Sequence, residues 1–389
     1  MIGWYVHDHG SGHRRRLEAV AAQLDEPVTG MGSGEPATGV DWLPLPPDAA
    51  VAAALDPALT DPTAGGSLHW APLGEPGMLA RAEAVAAWAK GSGCRLLVVD
   101  VSVEMLLLGR LLGLPTVAVL QPGVRTDPPH VLGYATAAAL LAPWPRSAHG
   151  RASGALAAKT SWSGAFSRFD GRAPSTDRSG CPSGRCAVLA LGRGGHRVRA
   201  SDVRVAAAAT PGWHWHVAGD LVEEEPVEHA TVREHGRVAD VWPLLSAADV
   251  VVGPCGGGLV ADVAAAGTPF LALPQPRPFD EQVALGRMLH RAGVATVAQA
   301  WPPARTWPRL LDRLTVDPGR TALRWRTWVD GAGAARAAGV VSAAASAHPS
   351  AARPAPGVAP PPVSPVPPVA QVSGRPGPRG GRARRQRVR

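Results

Sequence analysis

The sequence predicts an α/β protein built as two doubly wound, Rossmann-like domains that face a cleft, followed by a disordered C-terminal tail. Three observations carry that expectation. Short apolar runs bounded by Gly, Pro and Asp alternate with longer Ala/Leu/Arg segments, the pattern of strands and helices around a parallel sheet. The alternation runs twice, on either side of a stretch at 146–185 that is rich in Ser, Gly, Arg and Pro and poor in aliphatics. Charge is divided in the same way along the chain. The 389 residues carry a formal +8, but 346–389 hold eight arginines and no acidic residue, which leaves 31 basic against 31 acidic residues in 1–345. The body is formally neutral, so its charge does not mark it as a nucleic-acid binder.

In chain order, strand 2–6 leads to helix 13–24, strand 95–100 to helix 104–112, and strand 116–120 closes the first half. Such continuous apolar strands suit a parallel sheet covered on both faces. The second half reads as strand 187–191, helix 201–209, strand 213–218, helix 241–247, strand 250–252, helix 259–266, strand 269–273, helix 282–292 and strand 295–297. In the second of these strands the alternation Trp213-His214-Trp215-His216 sets both tryptophans on one face, toward a core. The expected boundaries are a first domain at 1–150, a linker region at 151–186, a second domain at 187–345 and the tail at 346–389. The tail has eleven prolines and no Phe, Trp or Tyr, and cannot bury enough apolar area to fold.

Four cysteines in a chain of this length make no dense disulfide framework, and Cys181 and Cys186 read as two unpaired thiols. The first residues lack a basic segment followed by an apolar one, and no apolar run approaches the roughly 18 residues of a membrane span. A cytoplasmic protein is expected. Its basic tail suits peripheral contact with an anionic inner membrane face, at about 1 kcal/mol per basic residue near the surface. No specific nucleic-acid partner is expected.

Chemistry is sought in the turns that follow strands, because ligands of such sheets lie outside the carboxyl ends of the strands. The first, His7-Asp8-His9-Gly10-Ser11-Gly12-His13-Arg14, joins strand to helix. Gly10 and Gly12 let the backbone turn sharply beside a helix N-terminus, and a neutral His13 suits a general base. Asp100, at the end of a strand, is a candidate to orient His13. The histidine and aspartate spacing in this turn fits no common zinc pattern, so no metal is expected. The second turn, Gly192-Arg193-Gly194-Gly195-His196, can form a backbone nest for a diphosphate, with Arg193 or Arg197 adding charge. A plain glycine-rich connection explains it nearly as well.

The third region is the most specific. Residues 248–269 form strand, glycine turn (Gly256, Gly257, Gly258, Leu259), helix with Asp262, and an Ala-Ala-Gly-Thr-Pro stop. Residues 273–282 then lead from the next strand to Glu281 and Gln282 at a helix start. A carboxylate such as Asp262, set in a helix beside the cleft, can accept hydrogen bonds from vicinal hydroxyls.

This region resembles the donor-binding half of GT-B glycosyltransferases, in particular the MurG-like and UDP-glycosyltransferase groups (family 28 and family 1 types), with their Gly-Gly turn, acidic helix residue, Ala-Ala-Gly-x-Pro stop and Glu-Gln pair. The Gly-x-Gly-His turn at Gly10, Ser11, Gly12 and His13 is similar to theirs, as are Leu97-Val98-Val99-Asp100 and Leu111-Leu112-Gly113-Leu114-Pro115. The resemblance spans most of 1–345 and implies a GT-B fold. It implies that Asp262 holds the donor ribose, that Gly256–Leu259 and the Gly192–Gly195 loop face the diphosphate, that Glu281 and Gln282 touch the transferred sugar, and that backbone near Val238 meets the base. Three positions depart from the pattern. Asp262 stands where many relatives have Glu, Pro254-Cys255-Gly256 replaces a His-Gly-Gly start, and Leu285 replaces an Asn.

The expected activity is transfer of a hexose or N-acetylhexosamine from a nucleoside diphosphate sugar, UDP-linked, to an acceptor hydroxyl, metal-independent and inverting. No cofactor is expected beyond the nucleotide-sugar co-substrate. Two rivals remain, a sugar-nucleotide 2-epimerase of the same fold and a non-catalytic sugar-nucleotide-binding protein. An NAD-dependent oxidoreductase is disfavoured, because no complete dinucleotide fingerprint follows the first strand.

Overall fold

Thirteen parallel strands form two sheets in the computed structural model, which describes residues 1–8, 10–49, 51–148, 155–175, 184–192, 194–222 and 226–347. The first sheet contains β1 (Ile2–Val6), β2 (Val28–Gly32), β3 (Asp41–Pro44), β4 (Leu96–Asp100), β5 (Thr116–Val119), β6 (Ala139–Ala142) and β7 (Thr160–Trp162), in the order β3-β2-β1-β4-β5-β6-β7. Its helices are α1 (Gly12–Ala21), α2 (Pro57–Thr60), α3 (Pro76–Ser92), α4 (Val103–Leu111), α5 (Pro128–Thr136) and α6 (Ala155–Ala158). The second sheet has β8 (Arg185–Ala190), β9 (Trp213–Ala218), β10 (Val232–Gly236), β11 (Val250–Gly253), β12 (Phe270–Ala272) and β13 (Thr296–Val297), in the order β10-β9-β8-β11-β12-β13. Its helices are α7 (Ala200–Ala209), α8 (Trp242–Ala247), α9 (Gly257–Ala266), α10 (Glu281–Ala292), α11 (Trp307–Leu314) and α12 (Pro318–Trp325), and α13 (Gly333–Ala347) follows them.

Every residue of β1, β4, β5 and β11 is buried, as strands covered on both faces require. Trp213 and Trp215 both enter the second core, with Trp307 packed edge-on against Trp215. In each sheet the strand order reverses once, between β1 and β4 and between β8 and β11. These are the switch points at which a crevice opens beyond the strand ends. The turns after β1, β8 and β11 and the end of β4 therefore gather where a ligand would lie.

Two expected boundaries are corrected. The stretch expected as linker contributes β7, whose Leu140↔Thr160 register extends the first sheet. The last helix of the expected second domain returns to the first. Ala337, Ala338, Val341, Ala344 and Ala345 form one stripe of α13 and pack with Ile2, Trp4, Leu17 and Val98. Arg95 donates to the Ala345 carbonyl at 3.0 Å, and Arg336 to that of Ser163 at 2.7 Å. No helix is expected there from the sequence, and which sheet the stripe covers is decided by where the chain crosses back. The expected disordered tail beyond residue 347, Cys181 and Arg193 lie outside the described residues. Among the described residues no helix is long and apolar enough to cross a membrane.

Candidate functional site

At the first switch point, 87 residues of separation close to a hydrogen bond, with His13 Nδ1 2.9 Å from Asp100 Oδ1. Gly10, with φ +82°, turns the chain out of β1, Ser11 precedes α1, and His13 lies in the first turn of that helix. Asp100 ends β4 and is wholly buried. The residue after it, Val101, has φ +72°, a left-handed backbone that disfavours a β-branched side chain and stores strain of order 1–3 kcal/mol at the strand end.

Asp100 is fully satisfied. Arg16 Nη1 donates to Oδ1 at 2.8 Å and Oδ2 at 2.7 Å, and Gln121 Nε2 donates to Oδ1 at 3.0 Å. Burial alone would raise its pKa. The charges of Arg16 and His13, with their hydrogen bonds, outweigh burial and hold the carboxyl at about 2. An ionised carboxylate only accepts, so neutral His13 carries its proton on Nδ1 and leaves Nε2 with a free lone pair. Arg16 carries no distinguishing sequence signal, whereas Gln121 opens the turn 121–127 that follows a strand and so faces the cleft.

Across the cleft, Gly12 at the start of α1 faces Gly258 in the first turn of α9. A methyl group on Gly258 would sit 3.8 Å from Gly12 Cα. Gly256 precedes α9, and Gly257, Gly258 and Leu259 form its first turn.

Asp262, two turns along α9, is buried and already engaged. Ser167 Oγ donates to Oδ1 at 2.6 Å, while Arg168 Nε and Arg15 Nη1 flank Oδ2 at 3.9 and 4.0 Å. Burial raises its pKa, against the pull of the Ser167 bond and the two guanidiniums. Ser167 and Arg168 come from the stretch expected only to link the halves. Gly12, Arg15, Gln121, Ser167, Asp262 and Glu281 line one cleft.

The remaining expected residues divide between surface and scaffold. Gly192, Gly194 and Gly195 form the loop after β8, and Arg277 donates through Nη2 to the carbonyls of Gly194 and Gly195. Arg277 thus supplies positive charge beside this loop. Val238 sits half-buried between β10 and α8. Gln282 is buried, and its Oε1 accepts from the N–H groups of Cys255 at 3.0 Å and Gln275 at 2.9 Å, tying two loops together. Glu281 begins α10 and lies 3.7 Å from Arg125 of the first half.

One histidine-carboxylate cluster approaches a metal-ligand set. His69, Asp127 and His130 have ligand atoms all within 4.8 Å of one another. Arg125 Nη1 lies 2.9 Å from His130 Nε2, which must accept because a guanidinium only donates. The His130 proton is then on Nδ1, 2.6 Å from Asp127 Oδ1, the atom a metal would need. The cluster is a hydrogen-bonded chain.

No family model matches the chain, and no curated protein matches it in sequence. Solved structures do match. Spinosyn forosaminyltransferase SpnP superposes with a TM-score of 0.64 at 16% identity, over 89% of this chain and 99% of that one. MurG of Acinetobacter baumannii gives 0.60 at 14%, over 88% and 99%. A putative UDP-N-acetylglucosamine 2-epimerase from Listeria monocytogenes gives 0.57 at 11%, over 86% and 93%. These likenesses show that the chain has the GT-B fold.

Proposed function

We propose that the protein is a glycosyltransferase that moves a sugar from a nucleoside diphosphate sugar, UDP-linked, to an acceptor hydroxyl. The observation that carries this reading is the buried, ionised Asp100 accepting from His13 Nδ1, which leaves Nε2 of the neutral imidazole as the atom able to take a proton. In the proposed reaction the acceptor oxygen forms a bond to the anomeric carbon and its proton passes to His13 Nε2. The bond from that carbon to the diphosphate breaks, and UDP leaves with the electron pair. Direct attack inverts the anomeric centre. The N-terminus of α9 and the loop after β8, with Arg277 beside it, stabilise the departing charge, a preorganised role that needs no metal ion. Asp262 takes the ribose hydroxyls, displacing Ser167, and Glu281 takes the hexose. Fold likeness to both SpnP and MurG supports transfer.

The test is incubation with a panel of nucleotide sugars and acceptors, read by mass spectrometry for donor consumption and nucleotide release. His13→Ala should lower turnover by about 10²–10⁴-fold while leaving the Kd for UDP unchanged. Equal loss of both, or no loss, refutes the base assignment. The likeness to an epimerase supports a second reading, intramolecular chemistry on the sugar nucleotide itself. Conversion of UDP-N-acetylglucosamine to a 2-epimer without any acceptor would establish it.

A further inference from the structure

A chain of half-buried polar groups runs from the first half of the molecule into the second and ends at the residue proposed to meet the transferred sugar. It starts at Asp127, which precedes α5 and is gripped from both sides, by His69 Nε2 on Oδ2 at 2.7 Å and by His130 Nδ1 on Oδ1 at 2.6 Å. Burial opposes ionisation of Asp127, but these two hydrogen bonds prevail and bring its pKa to about 2. His130 passes the contact on by accepting from Arg125 Nη1 at 2.9 Å. Its own pKa is lowered by burial and by the Arg125 charge, against the pull of Asp127, which favours the neutral form this bond requires.

Arg125 is thereby fixed. Its side chain is 8% exposed, its Nε donates to the Gln121 carbonyl at 3.2 Å, and its guanidinium lies 5.0 Å from the Phe279 ring centre. Phe279 comes from the second half, packs against His69 and edge-on against His130, and its carbonyl accepts from the Val124 N–H at 2.9 Å. Phe279 and Asp280 both adopt left-handed backbone, with φ +59° and +54°, unusual for two successive non-glycine residues. That kink delivers Glu281 to the cleft, where its Oε2 lies 3.7 Å from Arg125 Nη2.

We propose that Arg125, seated by His130 and Asp127, is a positioning residue for the transferred sugar, holding the Glu281 carboxylate in place from across the cleft. The proposal rests on the reading of Glu281 as the hexose contact. A glutamate at a helix start samples several rotamers, and a fixed guanidinium beside it selects one, so the sugar hydroxyls meet an acceptor already in place. The group that sets Glu281 belongs to the opposite half. Sugar recognition is therefore complete only with the halves closed, whereas the nucleotide subsite does not involve Arg125.

The experiment compares the full chain with Arg125→Gln, Arg125→Lys, Glu281→Gln and the Arg125→Gln/Glu281→Gln double variant. Calorimetry gives the Kd for UDP, UDP-glucose and UDP-N-acetylglucosamine, and kinetics give KM for the donor that is consumed. Arg125→Gln should raise Kd and KM for the sugar nucleotide about tenfold with UDP affinity within twofold of native. Arg125→Lys should recover most of the loss, and Arg125→Gln should add nothing in the Glu281→Gln background. Additive effects, equal weakening of UDP and its sugars, or no change at all would overturn the positioning role. If Arg125→Gln does not fold, His130→Asn, which unseats the arginine without removing it, should give the same selective loss at smaller size, and an unselective one overturns the proposal. An unaltered protein that binds neither UDP nor any nucleotide sugar fails the donor-site reading itself. UDP binding with sugar affinity indifferent to Arg125 fails only the positioning role.

Discussion

Asp100→Asn separates the two roles of the buried carboxylate, in stability and in catalysis. The carboxyl is wholly buried, and its pKa falls from the usual 3.8 to about 2. A fall of that size corresponds to about 2–3 kcal/mol of stability. Because the folded pKa is depressed, that contribution is fully present above the unfolded value and is lost as pH falls through the folded one, between about pH 5 and pH 2. The amide has no charge to lose. The denaturation gap between native and Asp100→Asn should therefore narrow by about 2–3 kcal/mol as pH drops across that window, while other carboxylates such as Asp127 titrate alike in both proteins and cancel. At neutral pH the variant should also lose turnover by about 10²–10⁴-fold. An amide cannot accept from Arg16, Gln121 and His13 together, and turning its NH₂ toward His13 reverses the imidazole tautomer and removes the lone pair from Nε2. Urea denaturation followed from pH 5 to pH 2 and donor consumption at pH 7 are the two assays. A gap that does not change with pH, or a folded variant with turnover within tenfold of native, would refute the reasoning.

Two further outcomes follow from particular contacts. Ser167 Oγ occupies the carboxylate proposed to receive the ribose, so Ser167→Ala should tighten UDP binding by about two- to tenfold, whereas Asp262→Ala should weaken it by about tenfold or more. Calorimetry with UDP reads both, and matched weakening by the two variants would mean that Ser167 supports the site and does not compete in it. Gly123 has φ +120°, and a Cβ there would fall 2.3 Å from the Phe279 carbonyl oxygen. Gly123→Ala should therefore disturb the contact between the halves at a cost of about 1–3 kcal/mol. That lowers Tm by several degrees, measurable by scanning fluorimetry, and an unchanged Tm would show that the contact contributes nothing to stability.

Much of the scaffold is legible without coordinates. β1 and β9 occur at the positions their apolar runs predict, and helix 13–24 ends at Ala21, three residues early. Strands β2 and β3 and the long α3 have no comparably clean signal. Two glycines interrupt β2, and α3 is amphipathic to almost no degree, with only Gly77, Arg81 and Val85 buried. The glycine turns, His13, Asp262 and the Glu281-Gln282 pair are visible because each is a local pattern of backbone freedom and side-chain chemistry at a strand end.

What the sequence by itself determined is the set of turns that carry chemistry and the repeated α/β alternation that brings them to two switch points, since both follow from periodicities of a few residues. Only the tertiary structure decided their partners. Arg16 and Gln121 saturate Asp100, Ser167 and Arg168 gather at Asp262, Arg277 charges the loop after β8, and Arg125 reaches Glu281. Arg277 lies in the most specific region and Gln121 and Arg125 in a turn after a strand, but no local pattern names the partner of any of these side chains, and each acts through a residue brought near only by the crossing of the chain. The same holds for α13. The elements expected from the sequence stop at strand 295–297, and the packing of this helix against the first sheet depends on a return path that no local periodicity encodes.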